Sequence, residues 1–196
     1  MKVMINVSNR HVHLCKKDLE TLFGKNFELE KKKDLIQPGE FASEQTLTIK
    51  TEKSEIENVR VLGPIRNYTQ VEISKTDAFK LGINPPVRDS GDLKESEKIT
   101  LIGPKGTVNL EEGCILAARH IHLTPEDVKN FGLEGKKQVN VKVDGERGAL
   151  LYNVHLKISE NYKFEMHIDT DEANALLLKS GTMGEIIKWK KKYLKD

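Results

Sequence analysis

Six histidines stand in this 196-residue sequence, and four of them form two His-x-His pairs. The pairs lie in Arg10-His11-Val12-His13-Leu14 and in Arg119-His120-Ile121-His122-Leu123, 109 positions further on. Successive side chains of a β-strand alternate faces, so His11 and His13 point the same way, as do His120 and His122. Two residues of strand cover roughly 6.6 Å, close enough for both imidazoles to lean onto one cation. Neutral imidazole is a common ligand of zinc and related transition metals. The chemistry open to such pairs is therefore Lewis-acid chemistry on an anion. An ordinary half-buried strand histidine accounts for one pair. A second copy with the same flanking Arg and Leu, and with Asp18 and Asp127 in register after it, points to metal.

Four histidines are too few for two complete sites. His167, in Met166-His167-Ile168-Asp169, and Glu72 are the next candidates. Cys15 falls on the His11/His13 face if that strand continues, and so competes with Glu72 as a ligand. Three protein ligands and an open position form the pattern of a catalytic zinc. Two such ions can clamp one anion between them. Arg66 and Arg119 offer planar donors suited to phosphate or carboxylate, although a surface salt bridge is the plainer reading of Arg66. His155 alternates in a strand without a paired histidine and reads as structural. Cys114 reads as a small buried residue.

These residues need strands to hold them. Residues 2–8 alternate as an opening strand into the first phrase, with Val12 and Leu14 facing a core. Lys16 to Gly24 reads as a short helix. The charged run Glu30 to Asp34 reads as a solvated turn, and Thr46–Lys50 and Val59–Leu62 as strands. Gly63-Pro64 reads as a turn that presents Arg66. Gln70 and Glu72 share one face of the next strand, opposite Val71 and Ile73. Thr76 is placed to cap a helix from Asp77 to Leu81. Lys98–Ile102 and Val108–Leu110 flank a second Gly-Pro turn, and Ile115–Ala118 leads into the second phrase. Thr124-Pro125-Glu126-Asp127 is a helix start. Gln138–Val143 and Gly148–Asn153 read as a hairpin about Asp144-Gly145. Phe164–Asp169 reads as a strand and Thr170–Lys179 as a helix. Ile186–Leu194 reads equally as strand or helix. Many short strands, and repetition at about half the length, predict two related β-barrel or sandwich units packed together.

Composition narrows the partners. There are 32 basic and 30 acidic residues, a net charge of +2, so neither nucleic acid nor membrane is called for. The basic tail Lys188 to Lys195 reads as a solvated terminal element. Two cysteines make no disulfide scaffold, and with no secretory signal they point to a reducing compartment.

Four segments together resemble the PduL-type phosphate propanoyltransferases. They are Asn6 to Leu14; Gly63-Pro64-Ile65-Arg66 with Thr69 to Ser74; Arg119-His120-Ile121-His122; and Met166 to Asn174. Each is weak alone; the four in order, through nearly the whole chain, are specific. The resemblance implies a phosphotransacylase with two β-barrel domains and short capping helices, an internal duplication whose halves exchange segments. It implies residues 1–9 plus 118–196 in one barrel, and 10–117 in the other with an excursion at about 24–45. It implies two zinc ions, one on His11, His13 and Glu72 and the other on His120, His122 and His167. Arg66 is implied as the phosphate-binding catalytic residue, with Ser8, Gln70, Ser90 and Asn174 lining the pocket. Cys15 is thereby demoted. Members housed in bacterial microcompartments carry an N-terminal amphipathic segment before this motif. Only 6 residues precede Val7 here, so a free cytoplasmic enzyme, as a homodimer, is expected.

The reaction so implied is acyl-CoA plus phosphate to acyl phosphate plus coenzyme A, with a propanoyl or acetyl chain. It is expected to proceed by direct transfer rather than through an acyl-enzyme. A dinuclear metallohydrolase of phosphoesters is the rival enzyme, separated by CoA dependence. A non-catalytic metal- or nucleotide-binding module is the rival of another class, and predicts filled coordination.

Overall fold

The computed structural model describes residues 1–187. The chain runs β1 (Lys2–Ser8), β2 (His11–Cys15), α1 (Lys16–Phe23), β3 (Lys31–Asp34), β4 (Phe41–Lys50), β5 (Glu55–Arg66) and β6 (Gln70–Glu72). It continues through α2 (Lys75–Leu81), β7 (Val87–Arg88), β8 (Glu97–Ile102), β9 (Thr107–Ala117), β10 (His120–Leu123) and α3 (Pro125–Phe131). It ends with β11 (Gln138–Val143), β12 (Ala149–Ile158), β13 (Glu165–Asp169), α4 (Thr170–Leu176) and β14 (Thr182–Ile187). Two compact units result. One, the central unit, is Asn9–Ala118; the other, the terminal unit, joins Met1–Ser8 to Arg119–Asp196.

In the central unit six strands close on themselves in the order β2-β6-β9-β8-β4-β5. Around that circuit the pairings are antiparallel, parallel, antiparallel, antiparallel, antiparallel and parallel. In the terminal unit the circuit is β10-β13-β1-β14-β11-β12, with the same sequence of pairing senses. The two barrels are thus one topology built twice, and closure removes the edges that open sheets leave exposed. β3 and β7 are additions, paired to β4 and β9.

The duplication is reciprocal. β1 holds in the terminal unit the place that β9 holds in the central one. Yet β1 leads into β2, and β9 leads into β10. The first strand of each repeat therefore completes the barrel of the other repeat. Both exchanged strands have a parallel neighbour, β13 for β1 and β6 for β9. Parallel neighbours cannot be joined by a tight hairpin, so such a partner must arrive from a remote part of the chain.

Alternation fills each core. Val12, Leu14, Val59, Val61, Val71, Ile49 and Leu101 pack in the central unit. Val3, Ile5, Ile121, Leu123, Val141, Met166 and Ile168 do so in the terminal unit. The helices are short and defined by their caps. Ser74, Thr124 and Asp169 each make a capping box with the acid three residues on, Asp77, Asp127 and Glu172 respectively. Gly82 and Gly132 close α2 and α3 in the left-handed conformation. Among the described residues no helix is long and apolar enough to cross a membrane.

Several local expectations are corrected. Glu30 to Asp34 is not a turn: Lys31–Asp34 is an exposed strand paired to β4. Gly63-Pro64 lies inside β5, where Gly63 stands opposite Phe41; any Cβ there would meet the Phe41 ring at 2.2 Å. The glycine marks a close approach, not a bend. Ser74 rather than Thr76 caps α2. Val108–Leu110 and residues 115–117 belong to one strand, β9, which ends before Ala118. Ile186 and Ile187 finish β14, and the basic tail lies outside the described residues.

Candidate active site

Each unit carries its histidine pair on the strand that runs antiparallel to a strand bearing the third candidate ligand, the third-ligand strand. In the central unit β2 and β6 place His11 opposite Glu72 and His13 opposite Gln70. All four side chains are buried. His11 Nδ1 lies 2.8 Å from the Asn9 carbonyl, which can only accept, so that nitrogen carries the proton and Nε2 is left facing inward. His11 Nε2 is 3.5 Å from Glu72 Oε2. Burial works against charging this imidazole, but the Glu72 charge and hydrogen bond and the Asn9 carbonyl outweigh it, and the pKa is raised. The cluster therefore asks for positive charge beside Glu72. Donor atoms of His11, His13 and Glu72 lie within 4.8 Å of one another, a spacing that suits one metal ion.

A polar chain leads away from Glu72. Gln70 donates to Glu72 Oε1 at 2.6 Å and to Ser90 Oγ at 2.8 Å, while its own oxygen accepts from the Gly91 amide at 2.7 Å. That amide bond from Gly91 fixes which end of the Gln70 side chain faces Glu72. Arg66, at the end of β5, donates to Ser90 Oγ at 3.0 Å and to Tyr68 at 3.4 Å, and meets Glu40 at 3.2 Å. Arg66, Gln70, Ser90 and Glu72 thus form one network.

In the terminal unit β10 and β13 place His120 opposite His167 and His122 opposite Glu165. Ring centroids lie 4.7 Å apart for His120 and His122, 5.3 Å for His120 and His167, and 5.0 Å for His122 and His167. The group with donor atoms within 4.8 Å is His122, Glu165 and His167, with the His120 ring beside it. Ser8 Oγ is 3.2 Å from His167 Nδ1. His167 Nε2 is buried and 3.1 Å from Glu165 Oε1, but is out of line for a hydrogen bond. A buried ring nitrogen aimed at a carboxylate without a bond between them fits a cation shared by the two.

The arginines of the repeated phrases are spent on positioning. Arg10 pairs with Asp77 at 2.8 Å, and Arg119 with Glu172 at 2.9 Å. Both acids are the third residues of capped helices that follow the third-ligand strands. Each arginine so ties its histidine strand to the strand opposite. Burial raises the pKa of Glu172 and of Asp169, with Arg119 pulling the other way on both.

Of the residues expected from sequence, the structure gathers His11, His13, Glu72, Gln70, Ser90 and Arg66 in the central unit. It gathers Ser8, His120, His122 and His167 in the terminal one. Asn174 is exposed on α4 and shows no side-chain bond to that cluster among the described contacts. Cys15 ends β2 and stands outside the donor group; its backbone amide bonds Thr69. Sequence reasoning missed Glu165. Its signal was there: Glu165 precedes His167 by two, as Gln70 precedes Glu72, and so shares its face.

Comparison with known proteins bears on this geometry. The family profile for phosphate propanoyltransferase matches residues 4–179. The chain is 50% identical over 188 residues to the phosphate propanoyltransferase of Thermotoga maritima, covering 95% of this chain and 90% of that one. It is 53% identical over 182 residues to that of Priestia megaterium, covering 93% and 84%. The phosphate propanoyltransferase of Rhodopseudomonas palustris is 47% identical over 187 residues, 95% and 83% of the two chains. With a match of this extent running through both histidine clusters and Arg66, the chain belongs to the phosphate propanoyltransferase family.

Proposed function

We propose that the chain transfers a short acyl group, propanoyl or acetyl, reversibly between coenzyme A and inorganic phosphate, and that both histidine clusters serve that one reaction. The carrying observation is the pair of donor sets on one barrel topology, one of them continuous with Arg66. His11, His13 and Glu72 would hold one divalent ion, zinc by its preference for nitrogen and oxygen donors, and His120, His122 and His167 a second. Such ions, when bound, supply Lewis acidity and neutralise phosphate charge. Ser8 Oγ meets His167 Nδ1 at 3.2 Å, which places that hydroxyl beside the terminal donor set.

The remaining work falls to side chains. Arg66 presents a planar guanidinium, steadied by Ser90 and Tyr68, to the phosphate. Gln70 holds Ser90 and Glu72 in place, and Ser8 and Asn174 are assigned to the pocket lining. A phosphate oxygen attacks the thioester carbonyl, the new C–O bond forms, the C–S bond breaks, and the thiolate takes a proton to become the CoA thiol. Positioning the two reactants accounts for much of the acceleration. Neither cysteine is required as nucleophile: Cys114 is buried, and burial with the nearby Glu97 charge pushes its thiol pKa up. Two free thiols support a reducing, cytoplasmic setting. Barrel domains of residues 1–9 with 118–196 and 10–117, and a homodimer, belong to the same reading.

One observation favours a second path. Ser8 Oγ lies 3.2 Å from His167 Nδ1, and His167 Nε2 lies 3.1 Å from Glu165 Oε1 though out of line for a hydrogen bond, an order of hydroxyl, imidazole and carboxylate that also occurs in acyl-enzyme chemistry. The test is CoA release from propanoyl-CoA and phosphate, followed with a thiol reagent, with metal content measured alongside. Direct transfer predicts phosphate-dependent release, two ions per chain, and retention of most activity in Ser8→Ala. Loss on the order of 10⁴-fold in that variant, with both ions retained, would establish the acyl-serine path instead. Release without phosphate would overturn the transferase reading.

A further inference from the structure

The two clusters differ at one register step. Position for position, Glu72 corresponds to His167 and Gln70 to Glu165, since His11 faces Glu72 as His120 faces His167, and His13 faces Gln70 as His122 faces Glu165. Each cluster thus contains one carboxylate, but on different residues of its strand. In the central unit the inner position is a neutral amide, Gln70, oriented by Gly91. In the terminal unit it is an acid, Glu165, and the outer position is an imidazole, His167.

We propose that Glu165 balances the charge of the cation held by the terminal cluster, the part Glu72 plays in the central one; this rests on the metal reading of both clusters. Glu165 has no exposure at all, and a carboxylate so buried is costly unless positive charge is close. One of its oxygens accepts from Asn6 Nδ2 at 2.5 Å, a neutral donor. The other faces His167 Nε2 at 3.1 Å without hydrogen-bond alignment. If Ser8 accepts from Nδ1, Nε2 carries a lone pair aimed at an oxygen lone pair. A cation beside both turns that repulsion into attraction. The acid lies in the same donor group as His122 and His167, within 4.8 Å. Asn6, on exchanged strand β1, then serves as a positioning residue that sets the carboxylate's rotamer.

The experiment is zinc titration of the metal-stripped full-length protein against a chromophoric chelator, with folding followed by circular dichroism. Glu165→Gln should fold, bind the first ion as the wild type does, and bind the second about 10- to 100-fold more weakly. Glu165→Asp, which keeps the charge, should recover part of that loss. The double variant Asn6→Asp/Glu165→Gln keeps a buried amide–carboxylate pair with its ends exchanged, and guards against misfolding; it too should weaken the second ion. His122→Ala is the control for the metal reading. If it loses one ion while Glu165→Gln and the double variant keep wild-type affinity, the role of Glu165 is overturned and the metal reading stands. If His122→Ala also binds both ions normally, the metal reading falls with it.

Discussion

The central and terminal barrels share a circuit of strands, the order of pairing senses, capped helices after the third-ligand strand, and an arginine tied to the acid of that cap. They differ in what surrounds the candidate metal donors. The central cluster opens into a polar chain through Gln70 and Ser90 to Arg66. The terminal cluster is a tight set of three rings over a buried acid. The same scaffold occurs twice, and the side chains at the equivalent positions 70 and 165, and 72 and 167, differ. The central unit carries Arg66, the group proposed to receive phosphate; the terminal unit concentrates imidazole.

The largest expected effects come from removing one donor in each unit. His13→Ala and His122→Ala should each lower bound zinc by one ion per chain and CoA-forming activity by at least about a hundredfold, since several kcal/mol of charge stabilisation go with the ion. Elemental analysis and the thiol assay read the two quantities together. Should His122→Ala lose its ion and keep full activity, the terminal cluster is structural, and the two barrels do not share one reaction.

Arg66 and Arg119 break the comparison in a second way. Arg66 is half-buried and reaches Ser90 and Tyr68 as well as Glu40, whereas Arg119 is paired with the cap acid Glu172. Arg66→Ala should raise the KM for phosphate about 10- to 100-fold, the worth of a charge-assisted hydrogen bond. Arg119→Met should leave that KM unchanged and weaken zinc binding about tenfold by loosening β10 against β13. Arg10→Met should do the same for the central ion. A raised phosphate KM in Arg119→Met would give that arginine the role of Arg66.

Much of this was legible before any coordinates. The alternation of His11, Val12, His13 and Leu14 assigned faces correctly, because period two admits one partition once one face is apolar. The family resemblance, not the periodicity, carried the exchange of β1 and β9: pairing of residues 2–8 with 165–169 is non-local, and no local pattern encodes it. Three local errors share a cause. Lys31–Asp34 has the composition of a turn but gains ladder bonds from β4, so tertiary pairing overrode propensity. Gly63-Pro64 reads as punctuation, yet Gly63 is required by the Phe41 ring. Glu165 is passed over although it shares a face with His167, since alternation assigns a face without reporting that the position is fully buried.

The smallest expected effects lie in the caps. Ser74 is buried, accepts from the Asp77 amide at 3.2 Å and donates its own amide to Asp77 Oδ2 at 3.3 Å. Asp169 does the same with Glu172, at 2.8 Å and 3.2 Å. Ser74→Ala removes the side-chain acceptor, leaves the Asp77 amide unmet by it, and should cost about 1 kcal/mol. Asp169→Asn keeps an acceptor of equal capping strength and removes a charge that burial disfavours, so its cost should be near zero. Urea midpoints of the metal-loaded protein measure both. If Asp169→Asn proves as damaging as Ser74→Ala, the carboxylate's pull on Arg119 matters more than the cap, and the two helices are held by different forces despite their common geometry.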